Sequence, residues 1–308
     1  MELTLASHFS HIYLAPEEEA EIDLKTLHIP APIWSRSKLP ASLQLLEQAH
    51  QENRLVVYDF GREGEAEPML LGMLSGKPDA PFVLICPGGS LVTLDVPNEG
   101  VPVAAALNER GINAFVLLYS VGMGSHHKAL QELQDSLVYI FRNARKHKID
   151  TRNYQIMGFS VGGFYAIESG LSRIDYEGLG LPRPGGIAAC YPLVTMAEDK
   201  ADSLKSRGVK KGLKILANGP FESPEEAKAH DLLAAMTEDY PDLFIWQGKE
   251  DALIPYKENA KALSDKAETL GVRHQLDTFH LRKHGVGLGE DTAAAGWLDD
   301  YLAFVRAG

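Results

Sequence analysis

Short continuous apolar runs alternate with helix-like stretches along most of this chain, and that alternation leaves few folds open to it. Phe82-Val83-Leu84-Ile85-Cys86 is followed by a helical pattern over Val101 to Arg110 that stops at Gly111. Ala114 to Tyr119 is the next apolar run. Leu130 to Lys148 then places Leu130, Leu133, Leu137, Val138, Ile140 and Phe141 at helical spacing. Tyr154 to Met157, a helix over Gly162 to Leu171, and strands at Ile187 to Tyr191 and Leu243 to Trp246 continue the series. A helix over Tyr256 to Leu270, an alternating strand over Val272 to Phe279 and an amphipathic helix over Thr292 to Arg306 close it. A strand that reads as unbroken apolar residues is buried on both faces. Helices must therefore cover both sides of a mostly parallel sheet. In such a sheet a ligand sits outside the carboxyl ends of the strands.

Two regions depart from the alternation. Leu55 to Phe60 and Met69 to Leu74 read as paired strands joined by a glycine-rich polar turn. Residues 1–54 before them show no strong period and are interrupted by Pro16, Pro30, Pro32 and Pro40. Their acidic run Glu17-Glu18-Glu19 reads as a solvated helix start. We expect an N-terminal extension over 1–54 that packs on, or covers the site of, a main domain over 55–308. Between Pro192 and Pro241 lie about fifty residues, too many for a plain crossover. That segment, about 192–240, is expected to be a helical cap insertion over the same sheet edge.

The strongest chemical signal is Gly158-Phe159-Ser160-Val161-Gly162-Gly163. It fits G-x-S-x-G, with an apolar strand before it and a helical pattern after it. A serine on so tight a strand-to-helix turn stands above the sheet edge at a helix N-terminus, and side chains at 158 and 162 would collide with backbone. A serine hydroxyl is a weak nucleophile and needs a base. His284, ahead of the mobile-looking loop Gly285-Val286-Gly287-Leu288-Gly289 after the last strand, is the best placed of the eleven histidines. His280 is its rival but lies closer to the strand. His126-His127, in the loop after Tyr119, read as exposed loop or pocket lining. A base needs an acid to fix its tautomer and to stabilise the imidazolium. Asp251, in the loop after Trp246-Gln247-Gly248, is expected there, with adjacent Glu250 as fallback. The order Ser160, Asp251, His284 differs from the chymotrypsin and subtilisin orders.

Cys86-Pro87-Gly88-Gly89-Ser90 follows a strand directly. A tetrahedral intermediate needs donors aimed at its oxyanion, and a glycine pair lets backbone N–H groups approach closely. We expect the Gly89 N–H, with Gly88 as a close alternative, and the Val161 N–H to form the oxyanion hole. Cys86 and Cys190 read as small buried apolar residues. Two cysteines make no disulfide framework and fit a reducing compartment. No His-x-x-x-His on a helix and no Cys-x-x-Cys suggests a metal site.

These residues make the chain similar to the α/β-hydrolase family, and more closely to the bacterial esterase branch near acetyl-xylan esterases and BD-FAE-type feruloyl esterases. The resemblance spans roughly 55–308. It rests on Pro87-Gly88-Gly89, Glu99 with the Val101-Pro102-Val103-Ala104 helix start, the Ser160 turn, Gln247 to Pro255, and His284-Gly285. It implies an α/β-hydrolase fold, a Ser160–His284–Asp251 triad working through an acyl-enzyme, and no cofactor. The substrate implied is a small-molecule ester with a short acyl group, acetylated sugars among them. Two stretches depart from the family pattern. Pro-Gly-Gly-Ser stands where His-Gly-Gly-Gly is usual, and Arg282-Lys283 precedes His284 where small residues are usual.

A peptidase of the same fold and a non-catalytic binding protein on a hydrolase scaffold are the competing readings. A net charge of −12 argues against nucleic acid and anionic membrane surfaces as partners. The N-terminus lacks the basic start and apolar run of a secretory signal, and no stretch reaches about 18 apolar residues. We therefore expect a cytoplasmic location, with a homodimer as the base-rate expectation for assembly.

Overall fold

The computed structural model describes residues 29–59, 69–172, 174–196, 204–219 and 231–308. The acidic run at 17–19, the hairpin turn at 60–68 and much of the insertion lie outside the described residues.

Among the described residues eight strands form one sheet in the order β1-β2-β4-β3-β5-β6-β7-β8. They are β1 (Leu55–Asp59), β2 (Met69–Met73), β3 (Ala80–Cys86), β4 (Asn113–Leu118), β5 (Ile149–Phe159), β6 (Gly186–Cys190), β7 (Asp242–Gly248) and β8 (His274–Phe279). β2 runs antiparallel to both neighbours, and β3 to β8 are mutually parallel. The central strands β4 and β6 are buried along their whole length, which is why they read as unbroken apolar runs. β8, at the edge, is half-buried throughout.

Among the described residues the α-helices are α1 (Leu39–Gln51), α2 (Val101–Glu109), α3 (His126–His147), α4 (Val161–Ser169), α5 (Leu204–Asn218), α6 (Leu232–Ala235), α7 (Ala262–Leu270) and α8 (Trp297–Arg306). β4 lies on one side of β3 and β5 on the other. The chain therefore reverses direction across the sheet between them. With crossovers of one hand, α2 and α3 fall on opposite faces. The fold is thus an α/β-hydrolase sheet with helices around it. α1 packs on α2, with Leu46 and Ala49 fully buried, so the described part of the N-terminal segment joins the core. No helix among the described residues is long and apolar enough to cross a membrane.

Some boundaries move from the sequence expectation. α3 begins at His126 rather than Leu130, because His126 is buried against Tyr165 and Phe164 of α4. The closing helix begins at Trp297 rather than Thr292, after Gly289 and Gly296 take left-handed backbone angles. The described parts of the insertion include α5 and α6. A hydrogen bond from the Gly124 N–H to the Leu216 carbonyl ties α5 to the loop after β4.

Candidate active site

Four loops leave the carboxyl ends of β3, β5, β7 and β8 and meet at one point. The turn after β5 carries Ser160 at φ 53°, ψ −118°. A non-glycine residue with such angles stores on the order of 1–3 kcal/mol of strain, and neighbouring structure must hold it there. It does so through the backbone: the Ser160 N–H donates to the Cys190 carbonyl at 3.0 Å, and its carbonyl accepts from Gly163 at 3.0 Å and Leu193 at 2.8 Å. The flanking glycines have a steric cause. A Cβ on Gly158 would lie 2.2 Å from the Gly162 carbonyl oxygen, and one on Gly162 would lie 2.0 Å from the Cys86 carbonyl oxygen. Both obstacles are backbone, which cannot swing aside.

The serine hydroxyl is 2.8 Å from His284 Nε2, and His284 Nδ1 is 2.7 Å from Asp251 Oδ2. The structure thus brings together the three residues that the sequence pointed to. Asp251 is fixed by its other oxygen, Oδ1, which accepts the N–H groups of Leu253 at 2.9 Å and Ile254 at 3.0 Å. Burial pushes its carboxyl up, but the His284 hydrogen bond and charge and these two amides outweigh burial and hold it below the ordinary aspartate value. The rivals pair elsewhere. His280 Nδ1 meets Glu250 Oε1 at 3.0 Å on the exposed surface. His126 is buried rather than exposed, 3.4 Å from Glu168, in the α3–α4 packing. Arg282 and Lys283 are solvent-exposed. Both cysteines are free and buried, and burial pushes the Cys86 thiol up to about 12.

The loop after β3 corrects one expectation. The Gly88 N–H donates to Glu99 Oε2 at 2.7 Å, so it is committed away from an oxyanion. Among the described residues the Gly89 and Val161 N–H groups have no hydrogen-bond partner. Gly89 takes φ +142°, and a Cβ there would lie 1.9 Å from the Thr93 carbonyl oxygen, so only glycine fits. The loop is pinned by the Asp95 N–H on the Gly88 carbonyl at 2.8 Å and by the Tyr119 hydroxyl on the Pro87 carbonyl at 2.6 Å.

Three supporting side chains carry no local sequence signal for their roles. Gln247, fully buried, donates to the Ile254 carbonyl at 2.6 Å and holds the Asp251 loop. Asn98 donates to the Gly285 carbonyl at 2.9 Å, beside His284. Tyr191 lies edge-on to the His284 ring, with centroids 4.9 Å apart. Glu99 was noted in the sequence only as part of a family pattern. It is 2 % exposed, and burial, with a smaller push from Asp95, raises its carboxyl to about 8. Tyr191, Gly88 and Lys38 pull the other way.

That shift has a sign. The folded value lies above the ordinary 4.5, so the stability it contributes is complete below about pH 4.5 and is lost as pH rises to about 8. We expect the wild-type melting temperature to fall relative to that of Glu99→Gln between pH 5 and pH 8.5, with no further divergence above it. Thermal melts of both proteins across that range check this. Parallel curves would place the carboxyl near its ordinary value.

The sheet topology and the serine turn after β5 are those of an α/β-hydrolase. The BD-FAE family model matches residues 75–266, more than half of the chain, and the chain belongs to that family. Endo-1,4-β-xylanase B of Butyrivibrio fibrisolvens is 28% identical over 90% of this chain and 42% of its own length. The acetylxylan esterase of Xylanibacter ruminicola is 21% identical over 83% of this chain and 51% of its own. The chain thus spans about half the length of the curated relatives it matches. Among solved structures, an acetyl ester-xyloside bifunctional hydrolase from Caldicellulosiruptor lactoaceticus superposes with TM-score 0.66 at 25% identity, covering 78% of this chain and 88% of that one. A carboxylesterase from Lactobacillus plantarum shares the fold, with TM-score 0.66 at 18% identity over 82% and 97% of the two chains.

Proposed function

We propose that this chain hydrolyses carboxylic esters with short acyl groups, acetyl groups on xylan-type sugars foremost, through a covalent acyl-enzyme. The observation that carries the reading is the unbroken hydrogen-bonded line from Ser160 Oγ through His284 to Asp251. Ser160 Oγ attacks the ester carbonyl carbon while its proton passes to His284 Nε2. The carbonyl electron pair moves onto oxygen, where the Gly89 and Val161 N–H groups receive it. The tetrahedral intermediate collapses, the bond to the alcohol oxygen breaks, and His284 returns the proton to that alcohol. Water then attacks the acyl-serine with His284 as base, and carboxylic acid leaves. Asp251 keeps the Nδ1 proton on its own side, so that Nε2 is free to accept.

The relatives favour xylan-type sugars as the alcohol part. A glycosidase route is a poorer fit, because that chemistry uses two carboxylates flanking the scissile bond. Here a serine and a histidine stand at the centre.

The test compares p-nitrophenyl acetate, butyrate and octanoate, together with acetate release from acetylated xylan. We expect kcat/KM for the acetate to exceed that for the octanoate by about tenfold or more, with acetate released from the polysaccharide. Equal turnover of all three esters, or none with free acetate, would overturn the short-acyl reading.

A further inference from the structure

We propose that Glu99 is a positioning residue that ties the oxyanion loop after β3 to the histidine loop after β8. The inference rests on the esterase reading above and assigns Glu99 a task in it.

The two oxygens of Glu99 serve different loops. Oε2 accepts the Gly88 N–H at 2.7 Å. Oε1 is 2.7 Å from the Tyr191 hydroxyl, which in turn accepts the Gly287 N–H at 3.0 Å. Gly287 lies three residues beyond His284, and the Tyr191 ring also packs on the His284 imidazole. The backbone of the histidine loop passes close as well, since a Cβ on Gly285 would lie 3.7 Å from Glu99 Oε1. One buried side chain therefore connects the turn that presents the Gly89 N–H with the loop that presents the base.

The connection acts on orientation. The Gly88 N–H fixes the peptide plane before Gly88. The Gly88 carbonyl, held by the Asp95 N–H at 2.8 Å, fixes the plane after it, which carries the Gly89 N–H. In a trans peptide that N–H points opposite to the carbonyl. Glu99 belongs to both restraints, because its own N–H donates to the Asp95 carbonyl at 2.8 Å. A carboxyl fits this place only if it brings no negative charge beside a developing oxyanion. Burial, with a smaller push from Asp95, raises its carboxyl to about 8, which favours the neutral form. Glu99 accepts from Gly88 at Oε2 and from the Tyr191 hydroxyl at Oε1, and a glutamine amide keeps an oxygen for Gly88 while its NH₂ group meets the Tyr191 oxygen once the hydroxyl turns away. Asn98, bonded to the Gly285 carbonyl, is an independent tie on the histidine loop and remains when Glu99 is removed.

The experiment measures kcat and KM for p-nitrophenyl acetate on the full chain, with melting temperatures, for Glu99→Ala, Glu99→Gln, Tyr191→Phe and Ser160→Ala. Misaiming one oxyanion donor costs about 100-fold or more. We expect Glu99→Ala to lose about that factor in kcat with KM little changed. Tyr191→Phe, which breaks only the far link, should lose about tenfold, and Glu99→Gln should stay within about fivefold of wild type. A folded Glu99→Ala with wild-type kcat, or a glutamine variant as slow as the alanine, would overturn the proposal. If the alanine variant does not fold, Tyr191→Phe decides on the same terms. Ser160→Ala separates the two levels. Wild-type turnover in it sinks the esterase reading itself. Loss there, beside unaffected Glu99 and Tyr191 variants, sinks only the positioning role.

Discussion

Replacing Ser160 with alanine is expected to lower kcat for p-nitrophenyl acetate by about 10⁶-fold, close to the loss seen when serine hydrolases lose their nucleophile. At about 1.36 kcal/mol per decade this is about 8 kcal/mol of transition-state stabilisation. The fold should not share the loss. The three bonds that hold position 160 in its strained conformation, to Cys190, Gly163 and Leu193, all use backbone atoms. Alanine keeps them, and among the described residues the side-chain bond it removes is the one to His284 Nε2. The melting temperature should therefore stay near that of the wild type while turnover vanishes. A fluorophosphonate should label the wild type on Ser160 and leave the variant unlabelled, as read by peptide mass spectrometry. Neither buried cysteine is a credible substitute nucleophile, since both thiols are pushed up by burial, Cys86 to about 12. If the purified variant kept more than about a hundredth of the rate, Ser160 could not be the nucleophile, because no oxyanion hole acting alone reaches that level.

How much of this site could be read in advance follows from which forces act locally. β4 and β6 announce themselves because both faces are buried, and burial leaves an unbroken apolar run. Gly158 and Gly162 announce themselves because a Cβ at either would strike backbone, so the chain has no other residue to use there. The choice between His280 and His284 is of another kind. Both follow β8, and Glu250 and Asp251 are neighbours after β7. The sequence favoured one of two offset pairings, and both form: His280 with Glu250 at the surface, His284 with Asp251 beneath it. The start of α3 could not be read, because His126 joins the helix through its burial on Tyr165 and Phe164 of another element. The true partner of the Gly88 N–H was hidden for the same reason. Gly88, Glu99, Tyr191 and Gly287 lie in four separate segments, and no pattern within any one of them signals the network. Local rules thus reach the reacting serine, whose geometry is made by its own turn. They do not reach the side chains that hold the surrounding loops in register.

Asp251→Asn is the second large effect, an expected loss of about 10⁴-fold in kcat with the fold retained. The reason lies in how the carboxylate is shared. Oδ1 accepts the N–H groups of Leu253 and Ile254, and Oδ2 faces His284 Nδ1. An asparagine must put its oxygen where the two amides donate. Its NH₂ group then faces Nδ1, which becomes the acceptor. The proton shifts to Nε2, and the imidazole can no longer accept from Ser160 Oγ. Glu250 cannot step in, because it is bonded to His280 and to the Leu281 N–H on the exposed side. The sign of the Asp251 shift gives a second readout. Its folded value lies below the ordinary 3.8, so the stability it contributes is present above about pH 3.8 and is lost as pH falls through the lower folded value. The variant should therefore be less stable than the wild type at pH 7, and the gap should close in strong acid. Within the neutral range Asp251 stays ionised and contributes no limb of its own to the rate profile. Paired kinetics of Asp251→Asn and Glu250→Gln settle the assignment: a slow Glu250→Gln beside an Asp251→Asn that keeps its rate would move the acid to Glu250, and the base with it to His280.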